Sequence, residues 1–282
     1  MGVVNAAPDS FSDPGQRDPG ELAERGRALV EQGASLIDVG GESGRTDRAA
    51  VPEPVEAARV VGVIERLAAE GLRVSVDTWR ARVARVALEA GAEMVNDPSG
   101  LSEPELASAC AEHGASLVVT HTRVAPKQKG YPARGDVVAD VLAGLAEREA
   151  VARSLGVDGT KTVLDPGIDL GKTPAESIEL LRRLGELNAL GRPVLVAISR
   201  KDFIGALLDR PPGGRDAGTL AALEAAVAGG AEYVRVHDVA AAADYLRVRA
   251  ALRGELAVSP ELRLAEELRR EAAPLRALSE GP

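Results

Sequence analysis

A set of polar residues falls where short aliphatic runs end: Asn5, Asp38 with Glu42 beyond it, Asp77, Asn96-Asp97, His121, Asp165, and Arg235 with His237; Lys201 lies just past another such run. Taken singly, an aspartate at a strand end caps the following helix, and an arginine pairs at the surface. Gathered at one mouth, the same residues would do chemistry. Asp77 and Asp165 accept from ring N–H and exocyclic amines, Asn96 offers an amide, and Lys201 donates to a carbonyl or ring nitrogen. Arg235 supplies a flat cation that stacks on a ring face. Such a set suits a planar heterocycle with amino and carbonyl edges, and Asn5, Arg235 and His237 could gather an anion such as a phosphate. Lys201 is one of five lysines among 34 basic residues, so its place in Ser199-Arg200-Lys201 is unlike a random surface charge.

What must position these groups is a repeating unit: a short β-branched run, then a helical stretch rich in Ala, Leu, Glu and Arg. The runs cover residues 2–5, 35–38, 73–77, 93–96, 116–121, 162–165, 193–199 and 233–237, and their starts lie 20 to 46 residues apart. Helical segments such as 21–32 and 80–90 lie between them; the second places Val83, Val86, Ala87 and Ala90 on one face. Gly33, Gly71, Gly91, Gly114 and Gly156 stand where helices should stop. Alternating strands and helices call for a parallel sheet, and eight units in about 250 residues predict a closed α/β (β/α)8 TIM barrel with its site at the C-terminal ends of the strands. A doubly wound sheet would carry a glycine-rich turn after its first strand; here Ala6-Ala7-Pro8-Asp9 follows instead. The expected organisation is a barrel over 1–254 and a C-terminal helical tail over 255–282, its helix opening at Ser259-Pro260-Glu261.

The chain has 282 residues and a formal net charge of −9. An acidic chain without a basic block argues against nucleic-acid or anionic-membrane partners. No apolar run reaches the ~18 residues of a membrane span, and the first residues lack a signal-peptide pattern, so a cytoplasmic location is expected. The core must be aliphatic, since only 2% of residues are aromatic. The single Cys110 excludes a disulfide within the chain and reads as a buried helical thiol. Gly167-Ile168-Asp169-Leu170-Gly171-Lys172-Thr173 approaches a nucleotide-binding P-loop but has one residue too few between its glycines. His121 has no second histidine at metal-ligand spacing, and His113 reads as a helix C-terminal cap.

Seven motifs in order resemble the dihydropteroate synthase family: Asn5-Ala6-Ala7-Pro8-Asp9-Ser10-Phe11-Ser12-Asp13, Gly40-Gly41-Glu42-Ser43, Ser75-Val76-Asp77-Thr78, Asn96-Asp97, Leu164-Asp165-Pro166-Gly167, Ser199-Arg200-Lys201-Asp202-Phe203-Ile204-Gly205 and Arg235-Val236-His237-Asp238. The resemblance runs to about Gly254 and implies the same barrel. It implies condensation of (7,8-dihydropterin-6-yl)methyl diphosphate with 4-aminobenzoate to 7,8-dihydropteroate and diphosphate. On that basis the pterin pocket maps to Asp77, Asn96, Asp165, Lys201 and Arg235. Diphosphate and Mg²⁺ contacts map to Asn5, Arg45, Arg235 and His237, with Asn5 as the metal ligand. Asp9 and Asp13 would order the first loop and the metal. Lys201, Arg235, Asp9 and Asp13 form the expected catalytic set, and a homodimer is expected.

Departures from the family pattern gather on the 4-aminobenzoate side: Ala7 for Thr, Gly44 and Thr46 for Thr and Pro, Thr120 and Thr122 where Met flanks His121, Asp169-Leu170 for Gly-Phe, and Asp202 for Ser. Asp202 would bring a negative charge towards an anionic ligand, so weakened sulfonamide binding is expected. A non-catalytic pterin-binding paralogue and a folate-binding methyltransferase-type barrel are the alternative readings.

Overall fold

The computed structural model describes residues 1–7, 18–44, 46–133 and 135–269, and the backbone of Asp9–Ser10 and Asp13–Pro14. Arg45, the side chains of Asp9 and Asp13, and residues 270–282 lie outside the described residues. The elements run β1 (Gly2–Asn5), β2 (Asp9–Ser10), β3 (Asp13–Pro14), α1 (Pro19–Glu31), β4 (Ile37–Gly40), α2 (Glu53–Ala69), β5 (Val74–Asp77), α3 (Ala81–Glu89), β6 (Met94–Asp97), α4 (Glu105–His113) and β7 (Ser116–Thr120). They continue through α5 (Val137–Ser154), β8 (Thr162–Asp165), α6 (Pro174–Arg182), β9 (Leu195–Ala197), α7 (Asp202–Leu208), α8 (Asp216–Ala228), β10 (Tyr233–Arg235) and α9 (Val239–Leu252).

Six strands pair in parallel in the order β1-β4-β5-β6-β7-β8, and β9 pairs in parallel with β10. Two bridges, Leu164 to Val194 and Gly2 to Val236, join these sheets into a ring of eight strands. The eight expected runs are those eight strands, and the (β/α)8 barrel follows. Among the described residues only β2 and β3 lie outside the ring, as a short antiparallel ladder after β1. Each parallel crossover is made by helix, as the hydrogen-bonding geometry of parallel strands requires. Leu36, Met94, Val118, Val163 and Leu195 form an aliphatic cluster within the core, as the scarcity of aromatics dictates.

Three expectations shift. β4 begins and ends two residues later than the aliphatic pattern suggested, because its partners fix the register: Gly40 pairs with both Asn5 and Asp77. Asp38 therefore sits between Val3 and Ser75, two residues below the strand tip, and is fully buried. On α3 the buried residues are Val83, Ala84, Ala87 and Leu88, while Val86 and Ala90 are half-buried, so the packed face is rotated from the expected one. Within 255–269 the helical piece is a single 3-10 turn, Glu266–Leu268, rather than the expected α-helix. Leu262, Leu264 and Leu268 are exposed there, and a short helix without an apolar partner does not sustain itself. Packing divides the chain into two compact units, with the boundary between Ala243 and Asp244.

The five glycines expected to end helices all have positive φ; Gly114, at 61°, directly caps α4. His113 in the last turn of α4 holds the Ala109 carbonyl through Nδ1 at 2.9 Å. Cys110 is a free, buried helical thiol that burial pushes up to about 12.

Candidate active site

Arg235, the last residue of β10, is the hub of the barrel mouth. Its Nε donates to Asp38 Oδ2 at 2.6 Å, and its Nη2 donates to Asp77 Oδ2 at 2.8 Å. Asn96 Nδ2, from the end of β6, donates to the same Asp38 oxygen at 3.0 Å. Side chains of β4, β6 and β10 thus meet across the barrel although none of those strands are neighbours. Asp38 was marked by the aliphatic pattern as a strand-end residue but given no role, since nothing in sequence spacing ties it to a partner 197 residues away. Burial, opposed by Arg235 and reinforced by Asp38, raises the Asp77 carboxyl above its ordinary range.

Asp165 ends β8 and is buried. Its Oδ1 accepts the Gly167 amide at 2.7 Å. Burial raises this carboxyl as well, against the Gly167 amide and the charges of Lys201, Lys172 and Arg235. Lys201 stands half-buried between β9 and α7, and its charge reaches both Asp77 and Asp165. Asp77, Asn96, Asp165, Lys201 and Arg235 are therefore brought to one mouth.

Asn5 and Asp77 flank Gly40. A Cβ built on that glycine would stand 3.8 Å from Asp77 Oδ2 and 3.9 Å from Asn5 Oδ1. Beside β1 opens a cavity of about 360 Å³ whose lining includes Asn5, Arg25, Arg200 and His237. His237 Nδ1 lies 2.9 Å from Ser199 Oγ. Burial, then the charges of Arg235, Arg200 and Lys201, push this imidazole down to about 4, so it is neutral at pH 7. Arg25 and Arg200 line this cavity together with Asp238, and Arg200 is itself paired with Asp216 at 2.7 Å.

Other polar residues near the mouth serve the scaffold. Asp97 accepts from the Ser99 amide, the Ser99 hydroxyl and the Leu101 amide at 2.8, 2.6 and 2.6 Å, which closes its own loop. Glu42 binds Arg80 at 2.9 Å and Lys127 at 3.1 Å, and Arg80 also binds buried Glu56. His121 faces Asp140 at 3.5 Å. Among the described residues no cluster of three His, Cys, Asp or Glu side chains is arranged to hold a metal.

These motifs and this barrel have relatives. A family profile described as pterin binding enzyme matches residues 1–237. The dihydropteroate synthase of Mycobacterium leprae is 43% identical over 258 residues, covering 88% of this chain and 91% of the relative. The chain belongs to the dihydropteroate synthase family. Among solved structures, a Xanthomonas albilineans dihydropteroate synthase in complex with 7,8-dihydropteroate matches with a TM-score of 0.81 at 42% identity, covering 90% of this chain and 92% of that one. A Thermus thermophilus dihydropteroate synthase in complex with 4-aminobenzoate matches with a TM-score of 0.80 at 40% identity, covering 89% of this chain and 93% of that one.

One departure from the family pattern behaves differently from expectation. Asp202 does not bring charge into the mouth. Its side chain is 73% exposed and is held by Arg215 Nη1 at 2.9 Å. A second residue was missed: Lys172, fully buried, donates from Nζ to the carbonyls of Gly167, His121 and Leu170 at 2.9, 3.1 and 3.3 Å. Three carbonyls match the three N–H groups of an ammonium, while burial pulls its pKa down to about 7. Its signal was present in the sequence, as a scarce lysine within a glycine-rich loop that is no nucleotide motif. Gly167, at φ 67°, lies so close to the His121 carbonyl that any Cβ would collide with it.

Proposed function

We propose that this chain condenses (7,8-dihydropterin-6-yl)methyl diphosphate with 4-aminobenzoate, forming 7,8-dihydropteroate and releasing diphosphate. The observation that carries this reading is Arg235 clamped between Asp38 and Asp77 beside Asn96, Asp165 and Lys201. Both salt-bridge partners fix the guanidinium plane before a ligand arrives, which lowers the ordering cost of stacking on a flat ring. Asp165 and Asn96 address the amino and ring N–H edge of the pterin, and Lys201 donates to its carbonyl or ring nitrogen. The carbon–oxygen bond to diphosphate breaks as the aniline nitrogen bonds to the methylene carbon, and the nitrogen releases a proton. Positive charge developing on the methylene is spread into the electron-rich pterin, and Arg235, with Arg45, would meet the departing anion. Neutral His237 adds a hydrogen bond there without adding charge.

Mg²⁺ belongs to the same reading. The hard oxygen of Asn5, in the cradle it shares with Asp77 across Gly40, fits an ion that takes most of its remaining ligands from phosphate and water. Bound there, the ion would neutralise the leaving diphosphate. Arg45, Asp9 and Asp13 complete the proposed set through the loops after β1 and β4. The reading extends to a homodimer acting in the cytoplasm; among the described residues no helix is long and apolar enough to cross a membrane. The test is an assay for diphosphate release and for dihydropteroate by mass spectrometry. Product is expected only with both substrates and Mg²⁺. Pterin binding without product would favour the non-catalytic paralogue, and full activity in excess chelator would contradict the metal.

A further inference from the structure

Lys201 is set at a corner that its own side chain does not stabilise. It occupies the N-cap position of α7 at φ −60° and ψ 156°, and makes no side-chain cap bond. The leading amides of a helix need acceptors, and here they are met from 33 residues away. Asp169 Oδ2 accepts the Asp202 amide at 2.5 Å and the Phe203 amide at 3.3 Å. Its other oxygen accepts from Ser177 Oγ of α6 at 3.0 Å, so the carboxylate is itself oriented. Asp169 lies at φ 66°, backbone that glycine adopts far more readily. The residue is thus held in strained backbone by the bonds it makes, the pattern expected where local strain serves a site. On the other side of the corner Arg200 is also left-handed, at φ 58°. Arg215 Nη1 donates to the carbonyls of Arg200 and Lys201 at 2.8 and 3.1 Å.

We infer that Asp169 is a positioning residue for Lys201: by capping α7 in place of a local side chain, it fixes where the lysine meets the pterin. The role in turnover rests on the condensation reading above, whereas the geometric role does not, and the test separates the two. Lysines are dimethylated with ¹³C-formaldehyde, and the Lys201 NMR signal is identified by its loss in Lys201→Met. Asp169→Gly suits the backbone and removes the cap; it is expected to move the Lys201 signal while the melting temperature stays close to that of the parent. Asp169→Asn keeps an acceptor oxygen and is expected to restore most of the parent position. Ser177→Ala removes only the orienting arm and is expected to move the same signal in the same direction, by less. In turnover, Asp169→Gly is expected to raise KM for the pterin diphosphate about tenfold, the loss of one charge-assisted contact, and to leave KM for 4-aminobenzoate within about twofold. A Lys201 signal unmoved in both Asp169→Gly and Ser177→Ala overturns the proposal. An equal rise in both KM values with a lowered melting temperature also overturns it, since that is loss of structure. If the parent shows no turnover but the Lys201 signal moves, the condensation reading fails and the positioning role stands.

Discussion

The two sides of the barrel mouth are held by different means. On one side Asp38, Asp77, Asn96 and Arg235 sit on strands, and their hydrogen bonds cross the barrel interior. On the other, around β8 and β9, Asp169, Lys172, Asp202 and Arg215 sit in loops and at helix ends, and their bonds run mainly to backbone atoms. Strand residues take their direction from the pleat and the register, so they point to the site because the barrel closes. Loop residues point wherever an acceptor or a counter-charge holds them. The family departures Asp169-Leu170 and Asp202 fall on the second side, where a new side chain can find a new partner without disturbing the barrel.

The sharpest way to break that contrast is to remove a buried partner on the strand side. Asp38→Ala leaves Arg235 short of a carboxylate and Asn96 short of an acceptor, and is expected to cost about 3–5 kcal/mol of folding stability. Urea unfolding at pH 7 measures it; a loss below about 1 kcal/mol would mean that the cluster is not the rigid element described.

On the loop side Lys172 provides a pH test. Its ammonium is pulled down to about 7 by burial, from an ordinary 10.5. Between those values the unfolded chain binds a proton that the folded chain has released, so this group adds stability as pH rises from 7 and removes it as pH falls. From pH 7 to 9 the parent is expected to gain about 2 kcal/mol relative to Lys172→Met. Parallel stability curves for the two proteins would show that the three carbonyls keep the ammonium charged throughout.

How legible these regions were follows from the same contrast. Asp77, Asn96, Asp165 and Arg235 were readable because each lies at or next to the end of a strand whose aliphatic run marks its direction. The depth of Asp38 was not, since β4 register depends on β1 and β5 and not on its own residues. Nor was the outward turn of Asp202: its charge was visible in sequence, its pairing with Arg215 was not. Lys172 was set aside with a rejected motif, because a buried ammonium held by carbonyls has no signature beyond its own rarity.

A smaller effect sharpens the comparison. Asp202→Ser removes an exposed ion pair, and is expected to change stability by less than about 1 kcal/mol. With the carboxylate turned away, KM for 4-aminobenzoate and Ki for a sulfonamide are expected to stay within about twofold of the parent, because screening by water leaves little repulsion to relieve. Tightening of both ligands by tenfold or more would place that charge in the pocket after all.

The central claim, that the strand-borne residues recognise the pterin, is tested most directly by calorimetric titration of a pterin into the parent, Asp165→Ala and Asp202→Ser. Removing the buried carboxylate of Asp165 is expected to weaken binding by about 2–4 kcal/mol, while Asp202→Ser binds like the parent. Unchanged affinity in Asp165→Ala would contradict the account.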